Sequence, residues 1–444
     1  MCEWIKDASF YHIYPLGLCG APFKNDLTTP PVQRISQLKR WTPYLQEMGI
    51  NAVYFGPLFE SESHGYDTVN YHFLDRRLGT NDNLIEVIRF FHDYGIKIIL
   101  DAVFNHTSRN FFAFKDLLQY GAQSQYKDWY SGIDFTRRSP LNDPFSYNCW
   151  NGHYTLVKLN LQNKTVQNYL FDCVKQWISD FEIDGLRLDT ADCLDFNFMS
   201  GLRDVCKKAN PDFWIMGEVI HGDYSRWAND NTIHSTTNYE GYKGLYSSHN
   251  DLNYFEIAYS LNRQYGTYGI YKNLFLYNFA DNHDVTRVAS ILKEKKHLFP
   301  LYTLLYTIPG IPSIYYGSEF GIEGVKNHDD SSLRPSLNLY ELKETMPGLR
   351  QWICTLIALR KSSSALKSGT YRQLYVNHKQ FVFEREHEKE KVVVAVNSDS
   401  SDSPLIISCQ DTLVDMITGK TYNSINGKLQ IIIPPFSGMM LRKR

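Results

Sequence analysis

Short apolar runs alternate with longer amphipathic segments along most of the chain. The apolar runs are typical of strands buried on both faces, and the segments between them carry apolar residues at three- and four-residue spacing, as amphipathic helices do. This alternation predicts a parallel sheet, and eight strands predict an α/β fold of the (β/α)8 barrel type. The predicted strands are Phe10–Tyr14, Ala52–Phe55, Ile98–Phe104, Gly185–Leu188, Phe213–Met216, a weaker run at Ser235–Asn238, Leu274–Phe279 and Ile314–Tyr316. The predicted helices include Asn83–Tyr94, Val166–Phe181 and Leu252–Tyr265.

Two stretches depart from this alternation. Residues 106–155 are polar and aromatic with little periodicity. Because a structureless loop of this length is uncommon in a compact domain, we expect a small inserted subdomain over the barrel mouth. After about Leu366, short strands follow one another without helices, which predicts a C-terminal antiparallel β-sandwich. The expected organisation is a barrel in 1–105 and 156–365, an insertion in 106–155 and a sandwich in 366–444.

The composition of the chain excludes several classes of function. A net charge of −2 over 444 residues leaves no basic field for nucleic acid or anionic lipid. No apolar run reaches the roughly 20 residues that span a bilayer, and the first residues lack the pattern of a signal peptide. The eight cysteines contain no Cys-x-x-Cys pair. We therefore expect a cytoplasmic protein with reduced thiols and no membrane or nucleic-acid partner.

Three acidic residues stand where apolar runs end. They are Asp189, Glu218 and Asp284. The carboxyl ends of barrel strands converge on one mouth, where catalytic residues of such barrels lie. Carboxylates brought together from separate strands are what cleavage of a glycosidic bond requires.

Four ordered motifs carry a resemblance to a known family. They are Asp101-Ala-Val-Phe-Asn-His106, Gly185-Leu-Arg-Leu-Asp189, Gly217-Glu-Val219 and Asn282-His-Asp284. The set resembles the α-amylase family, glycoside hydrolase family 13. Ser63-His-Gly-Tyr-Asp67 and Tyr315-Tyr-Gly317 extend the resemblance over essentially the whole chain.

The resemblance implies roles for the acidic residues. Asp189 is expected to be the nucleophile, Glu218 the general acid and then base, and Asp284 a ligand of sugar hydroxyls. Arg187 lies two residues before Asp189, so both side chains point to one face of a strand and the cation should keep the nucleophile ionised.

Further residues are expected to bind substrate. By the resemblance, His106 and His283 hydrogen-bond sugar hydroxyls at the cleavage subsite, and Tyr66 stacks on that sugar. Asp192 and His221 each follow a catalytic carboxylate by three residues. We expect both of them to contact the leaving-group sugar.

Asp67 and Arg334 leave two interpretations open. In exo-acting relatives such a pair clamps the non-reducing terminal glucose, which blocks the far end of the cleft. Alternatively, Asp67 only orders its loop and Arg334 pairs elsewhere.

One segment resembles a particular branch of the family. Leu156-Val-Lys-Leu-Asn160 is similar to the motif of the neopullulanase, cyclomaltodextrinase and maltodextrin glucosidase branch, and Asp329–Pro335 resembles its Arg-Arg-Pro segment. These enzymes process maltooligosaccharides and cyclodextrins, usually in the cytoplasm. The dimer-forming N-terminal domain of that branch is not expected here, and the oligomeric state stays open.

Several departures from the family pattern concern a metal. Cys193 stands where many α-amylases carry a histidine beside a structural calcium, and Asn105 is one possible oxygen ligand. We expect no cofactor and do not favour calcium, and we expect Cys193 to be an ordinary buried residue.

The sequence therefore predicts a retaining hydrolase of α-1,4-glucosidic bonds in α-glucan oligosaccharides. A 4-α-glucanotransferase or a sugar isomerase with the same covalent intermediate is the alternative among enzymes. A non-catalytic carbohydrate-binding relative is the alternative from another class.

Overall fold

The computed structural model describes residues 2–327 and 330–444. Its central element is a sheet of eight parallel strands. In chain order these strands are β1 (Phe10–Ile13), β2 (Ala52–Phe55), β3 (Lys97–Ala102), β4 (Gly185–Leu188), β5 (Trp214–Gly217), β6 (Ser235–Thr236), β7 (Tyr277–Phe279) and β8 (Ile311–Tyr315).

The sheet closes on itself. Its order is β6-β5-β4-β3-β2-β1-β8-β7, and a parallel bridge between Thr237 and Tyr277 joins the two ends. The amide of Asn238 donates to the carbonyl of Tyr277 at 2.9 Å. The predicted (β/α)8 barrel is therefore confirmed.

The barrel strands are buried on both faces, which explains their nearly continuous apolar sequence. Phe10, Ile99, Trp214 and Tyr277 belong to one buried cluster of barrel side chains. This packed interior makes the barrel a rigid frame, and the loops at the carboxyl ends of its strands carry the polar residues.

The helices occupy the stretches between strands. Thr80 and Asn83 form a capping box at the start of the third helix, and Asn163 caps the fifth. The α-helices are α1 (Pro15–Leu18), α2 (Trp41–Met48), α3 (Asn81–Asp93), α4 (Phe112–Tyr120), α5 (Lys164–Phe181), α6 (Phe196–Ala209), α7 (Tyr239–Asn250), α8 (Phe255–Tyr265), α9 (Val288–Ile291), α10 (Leu298–Thr307), α11 (Leu349–Ser362) and α12 (Ser364–Ser368). Short 3-10 turns cover Glu3–Asp7, Ile35–Arg40, Gly121–Gln123, Lys127–Trp129, Ala191–Cys193, Tyr224–Arg226, Lys295–His297, Ser318–Phe320 and Ser331–Leu333.

Two small antiparallel sheets lie outside the barrel. Strands Phe59–Ser61 and Thr68–Leu74 pair between β2 and β3. In the expected insertion, His153–Lys158 pairs with both His106–Ser108 and Cys149–Trp150. That sheet runs past residue 155 because its central strand continues to Lys158.

The C-terminal part is built of antiparallel strands. A six-stranded sheet of order β9-β10-β11-β16-β13-β14 faces the two-stranded sheet β12–β15 across a shared apolar core. The strands are β9 (Thr370–Val376), β10 (Gln380–His387), β11 (Glu390–Asn397), β12 (Ser403–Ser408), β13 (Leu413–Asp415), β14 (Thr421–Tyr422), β15 (Lys428–Ile433) and β16 (Ser437–Lys443).

Two buried arginines lie where the barrel meets this sheet. Arg385 donates to the carbonyls of Thr307 at 2.5 Å and Gly369 at 2.9 Å. Arg360 donates to the carbonyls of Gly310 at 2.6 Å and Leu366 at 2.7 Å. Their fork-shaped side chains thereby join the end of α10 to the C-terminal strands.

No helix in the described parts of the chain combines the length and apolar character that crossing a bilayer requires. The eight cysteines form no disulfide. Cys193 is exposed, so the expectation that it is buried is wrong. It ends the turn Ala191–Cys193 in the loop after β4, where the chain leaves the barrel core.

Candidate active site

The three predicted carboxylates lie at the carboxyl ends of barrel strands. Asp189 directly follows β4, Glu218 directly follows β5, and Asp284 lies in the loop after β7. The side chains of Asp189 and Glu218 are 8% and 10% exposed, whereas that of Asp284 is 32% exposed. Two carboxylates are therefore sheltered in the mouth, and the third is open to a ligand.

Arg187 joins the two sheltered carboxylates. Its Nη1 lies 2.9 Å from Oδ1 of Asp189, and its Nη2 lies 3.0 Å from Oε2 of Glu218. Nη1 also donates to Asp101 at 2.9 Å. One planar guanidinium thus holds carboxylates from β3, β4 and β5 around a single point.

The negative charges in this arrangement outnumber the positive one. Arg187 carries one charge for three carboxylates. Burial raises the pKa of Asp189 well above its ordinary value; Arg187 opposes this, and Glu218 and Asp101 add to it. Arg187 is therefore the group in this arrangement that favours the ionised form of Asp189, which a nucleophile requires.

Asp101 is the anchor of this network. Its carboxylate accepts hydrogen bonds from Tyr54 at 2.6 Å and from Tyr66 at 2.9 Å, besides those from Arg187. With its side chain fully buried, Asp101 orients the guanidinium and the ring of Tyr66.

Asp284 has a different environment. His283 Nε2 lies 2.9 Å from its Oδ2, and Arg334 Nη2 lies 2.9 Å from its Oδ1. Burial alone would raise the pKa of Asp284, but His283, Arg334 and Arg187 together hold it well below its usual range. These neighbours therefore favour the anionic form of Asp284 more strongly than water does.

Aromatic rings line the mouth beside Asp284. The ring of Tyr66 is stacked on His283 at 5.5 Å between centroids, and its hydroxyl contacts His283 Nε2. Tyr14 stacks on the same imidazole at 5.8 Å. His106 Nε2 lies 3.1 Å from the carbonyl of Tyr66. Burial lowers the pKa of His106 to about 4, so this ring is neutral at pH 7.

Asp67 and Arg334 are not directly bonded to each other in the described residues. Asp67 accepts from Ser63 at 2.6 Å and lies 3.9 Å from His64. Arg334 spans Asp284 and Asp330 and stacks over Tyr14 at 4.7 Å. Asp329, the first residue of the predicted Asp329–Pro335 segment, lies outside the described residues.

Asp192 and His221 are exposed on the loops after β4 and β5. Their predicted contact with the leaving-group sugar stays a prediction.

Sequence reasoning missed two residues that contact the carboxylates. Thr190 has a left-handed backbone (φ 42°), which is strained for a β-branched residue, and its amide donates to Glu218 Oε2 at 3.1 Å. Tyr239, the first residue of α7, places its hydroxyl 3.3 Å from Glu218 Oε1. The only sequence signal for either was its position just after a barrel strand.

Asn105 carries the oxygen that the sequence offered as a possible calcium ligand. Asn105 Oδ1 is buried without a hydrogen-bond partner in the described residues. However, no three His, Cys, Asp or Glu side chains there are grouped to hold an ion. The absence of a cofactor stays an expectation.

Family models match both parts of the chain. Residues 37–349 match the α-amylase catalytic domain, and residues 371–440 match the maltogenic amylase C-terminal domain. The chain belongs to the α-amylase family. It is therefore a glycoside hydrolase of the α-amylase type, and the predicted neopullulanase and cyclomaltodextrinase branch is confirmed by its relatives.

Two of these relatives cover nearly all of the chain. A cyclomaltodextrinase from Bacillus sp is 31% identical, over 90% of this chain and 74% of its own. Neopullulanase 2 from Thermoactinomyces vulgaris is 31% identical, over 99% of this chain and 78% of its own.

Solved structures of family members have the same fold. A cyclomaltodextrinase structure superposes with a TM-score of 0.88 at 28% identity, over all of this chain and 79% of that one. A debranching enzyme from Nostoc punctiforme superposes with a TM-score of 0.84 at 28% identity, over 99% of both chains.

Proposed function

We propose that this α-amylase family member hydrolyses α-1,4-glucosidic bonds of maltooligosaccharides, maltodextrins or cyclodextrins with retention of configuration. The observation that carries the proposal is the single guanidinium of Arg187, which holds Asp189 and Glu218 side by side. Retaining glycosidases need two carboxyl groups about 5–5.5 Å apart, whereas inverting enzymes separate them to admit a water.

In the first step, Asp189 supplies the electron pair that forms the bond to the anomeric carbon. The bond from that carbon to the glycosidic oxygen breaks, and the oxygen takes the proton of Glu218 as it leaves. A covalent glycosyl-enzyme results. In the second step, Glu218 takes a proton from water, the water oxygen attacks the anomeric carbon, and Asp189 leaves as a carboxylate.

Asp284 is proposed to bind sugar hydroxyls. An ionised carboxylate accepts strong hydrogen bonds from hydroxyl groups, and the positive charge that develops on the sugar in the transition state is stabilised by an anion nearby. His106 and His283 are proposed to bind hydroxyls of the same sugar, and Tyr66 to pack against its face.

The names of the relatives support the substrate class. They include cyclomaltodextrinase, neopullulanase and maltogenic amylase. An intracellular maltogenic amylase from Bacillus subtilis is 28% identical over 82% of this chain, and on that likeness we propose a cytoplasmic location.

Glucanotransferase activity is the second candidate. The same glycosyl-enzyme is passed to a sugar instead of water when an acceptor occupies the mouth. Asp192 and His221, exposed on the loops after β4 and β5, are the residues proposed to bind such an acceptor. Hydrolysis is preferred because the relatives carry the names of hydrolytic enzymes.

A product profile from maltotetraose, followed over time by mass spectrometry, tests both candidates. Hydrolysis yields only shorter sugars, whereas products longer than maltotetraose mean that transfer dominates. Asp189→Asn is the control and should lose about 10³-fold or more of the rate. Equal activity of this variant would refute the assigned nucleophile, and no product from either protein would refute the substrate class.

The exo-acting clamp is proposed separately, with Asp67 and Arg334 binding a terminal glucose. Asp67→Ala should then change the ratio of glucose to maltose among the products of maltotetraose. An unchanged ratio means that Asp67 only orders its loop.

A further inference from the structure

The two oxygens of the Glu218 carboxylate have different partners. Oε2 lies 3.0 Å from Nη2 of Arg187, in a salt bridge, and accepts a hydrogen bond from the amide of Thr190 at 3.1 Å. Both partners are fixed, one by its salt bridges and the other by the backbone. Because Oε2 already faces a cation and accepts a hydrogen bond from a backbone amide, the proton of the neutral acid belongs on Oε1.

The partner of Oε1 is Tyr239. Its hydroxyl lies 3.3 Å from Oε1 and accepts a hydrogen bond from Asn282 Nδ2 at 3.2 Å. The orientation of that amide follows from the network, since Asn282 Oδ1 accepts from the Asp284 amide at 2.8 Å. The Tyr239 hydroxyl hydrogen is therefore free to point at Glu218.

The ring of Tyr239 is held from two sides. It meets Phe279 edge-on at 5.0 Å between centroids. Its backbone opens α7, where Asn238 caps the helix by accepting from the Gly241 amide at 2.9 Å. Asn238 Nδ2 also donates to Asn278 Oδ1 on β7 at 2.8 Å. These contacts fix the hydroxyl without help from a substrate.

We propose that Tyr239 is a positioning residue for the acid–base group: its hydroxyl donates to Glu218 Oε1 in the ionised form and assigns that oxygen as the one that delivers and recovers the proton. The inference rests on the proposed role of Glu218. Tyr239 itself keeps its proton, because burial and the nearby Glu218 and Asp284 raise its pKa well above the ordinary value.

The hydrogen bond from Tyr239 should affect the two steps of the reaction in opposite directions. A donor to the carboxylate makes Glu218 a better acid in the first step and a weaker base in the second. The charged and titratable groups that share this mouth with Glu218 are Asp101 from β3, Arg187 and Asp189 from β4 and its end, Asp284 from the loop after β7, and Tyr239 from α7. Removing the hydroxyl alters one of these contacts and leaves the charges in place.

The test compares Tyr239→Phe with Tyr242→Phe. Tyr242 lies one turn along the same helix, packs its ring on Phe279 and makes no side-chain hydrogen bond to the described residues. In the Tyr239 variant, the alkaline limb of the kcat/KM profile on maltotetraose should move to higher pH by about half to one unit. The rate at neutral pH should fall severalfold. The Tyr242 variant should match the wild type.

An aryl glycoside tests whether Tyr239 acts through delivery of the proton to the leaving group. With a 4-nitrophenyl maltooligosaccharide the leaving group needs no proton, so Tyr239→Phe should change this rate by less than about twofold. An alkaline limb that stays in place in Tyr239→Phe, or that moves equally in Tyr242→Phe, overturns the inference. Glu218→Gln is the separate check on the proposed function: if it hydrolyses maltotetraose at the wild-type rate, the acid–base assignment itself fails.

Discussion

Replacing Arg287 with lysine tests how the loop that carries Arg334 is held over the carboxylates. Arg287 is fully buried and lies three residues after Asp284. It donates to the carbonyl of Tyr316 at 2.6 Å, to Ser318 Oγ at 3.2 Å and to the carbonyl of Leu333 at 2.9 Å. It thus ties the end of β8 to the residue that precedes Arg334.

The size of the effect follows from these bonds. Lysine can keep one of the three, so two hydrogen bonds from a charged donor are lost, at about 1.5–2 kcal/mol each. The Tyr315 hydroxyl still donates to the Leu333 carbonyl at 3.0 Å, so about 3 kcal/mol is expected in total. An unfolding entropy of about 2.1 cal/mol/K per residue over 444 residues turns this into a fall of about 3 °C in the thermal midpoint.

The effect on activity should be larger than the effect on stability. Arg334 would lose the support that aims it at Asp284, and a misplacement of about 1 Å costs up to about 10²-fold in rate. We expect kcat/KM on maltotetraose to fall about tenfold to a hundredfold, measured at a temperature at which the variant stays folded.

Arg360→Lys is the matched control. Arg360 is also buried and, among the described residues, donates to three carbonyls, those of Tyr306, Gly310 and Leu366. It lies, however, at the junction with the C-terminal sheet. It should lower the thermal midpoint by a similar amount and leave kcat/KM unchanged. If both variants lose activity equally, or if neither loses stability, the reasoning about Arg287 is refuted.

Three further predictions concern charge and close contact. Arg334→Gln removes a cation that lowers the pKa of Asp284, so the acid limb of kcat/KM should move to higher pH; an unmoved limb would contradict the pairing. Glu319 is fully buried with Oε2 unpartnered, and burial raises its pKa to about 7. Its folded pKa exceeds its unfolded pKa, so it destabilises the fold increasingly as pH rises from about 4.5 to 7, by up to about 3 kcal/mol. Glu319→Gln should therefore raise the thermal midpoint at about pH 8 but not at about pH 4, and equal midpoints at both would refute this. A Cβ on Gly17 would lie 2.3 Å from the Arg334 carbonyl oxygen, so Gly17→Ala should displace Arg334 and lower kcat/KM at least about tenfold. Wild-type kinetics in this variant would show that the loop carrying Arg334 can shift without loss of activity.

The elements that the sequence predicted well are those whose pattern is local. Gly185–Leu188 was predicted with the bounds of β4, because its apolar run ends sharply at Asp189. Helix α10 is harder to recognise from the sequence, because nearly all of its residues are buried and it shows no polar face. Strand β8 begins at Ile311 rather than Ile314, since Pro312 interrupts the pattern although it sits within the sheet.

The residues of the site also fall into two groups, those that a local sequence motif predicts and those that it does not. Asp189, Glu218 and Asp284 stand in motifs that can be read along the chain, and the structure brings all three to one mouth. Tyr239 and Thr190 matter only because other strands bring Glu218 to them. No local pattern encodes such a contact, since it depends on the barrel closing in one register.

The closure of the barrel has a consequence for how the sequence can change. Most neighbouring strands of the barrel pair through three or more residues of backbone, and such ladders tolerate many side chains. Between β6 and β7 the backbone supplies a single bridge. Side chains complete the seam: Ser235 Oγ donates to the Phe275 carbonyl at 2.6 Å, and Asn238 Nδ2 donates to Asn278 at 2.8 Å. Substitutions at Ser235 and Asn238 should therefore be restricted during evolution, although neither residue touches a carboxylate in the described structure. Recombination of barrel halves between relatives should succeed only when both sides of this seam come from the same parent.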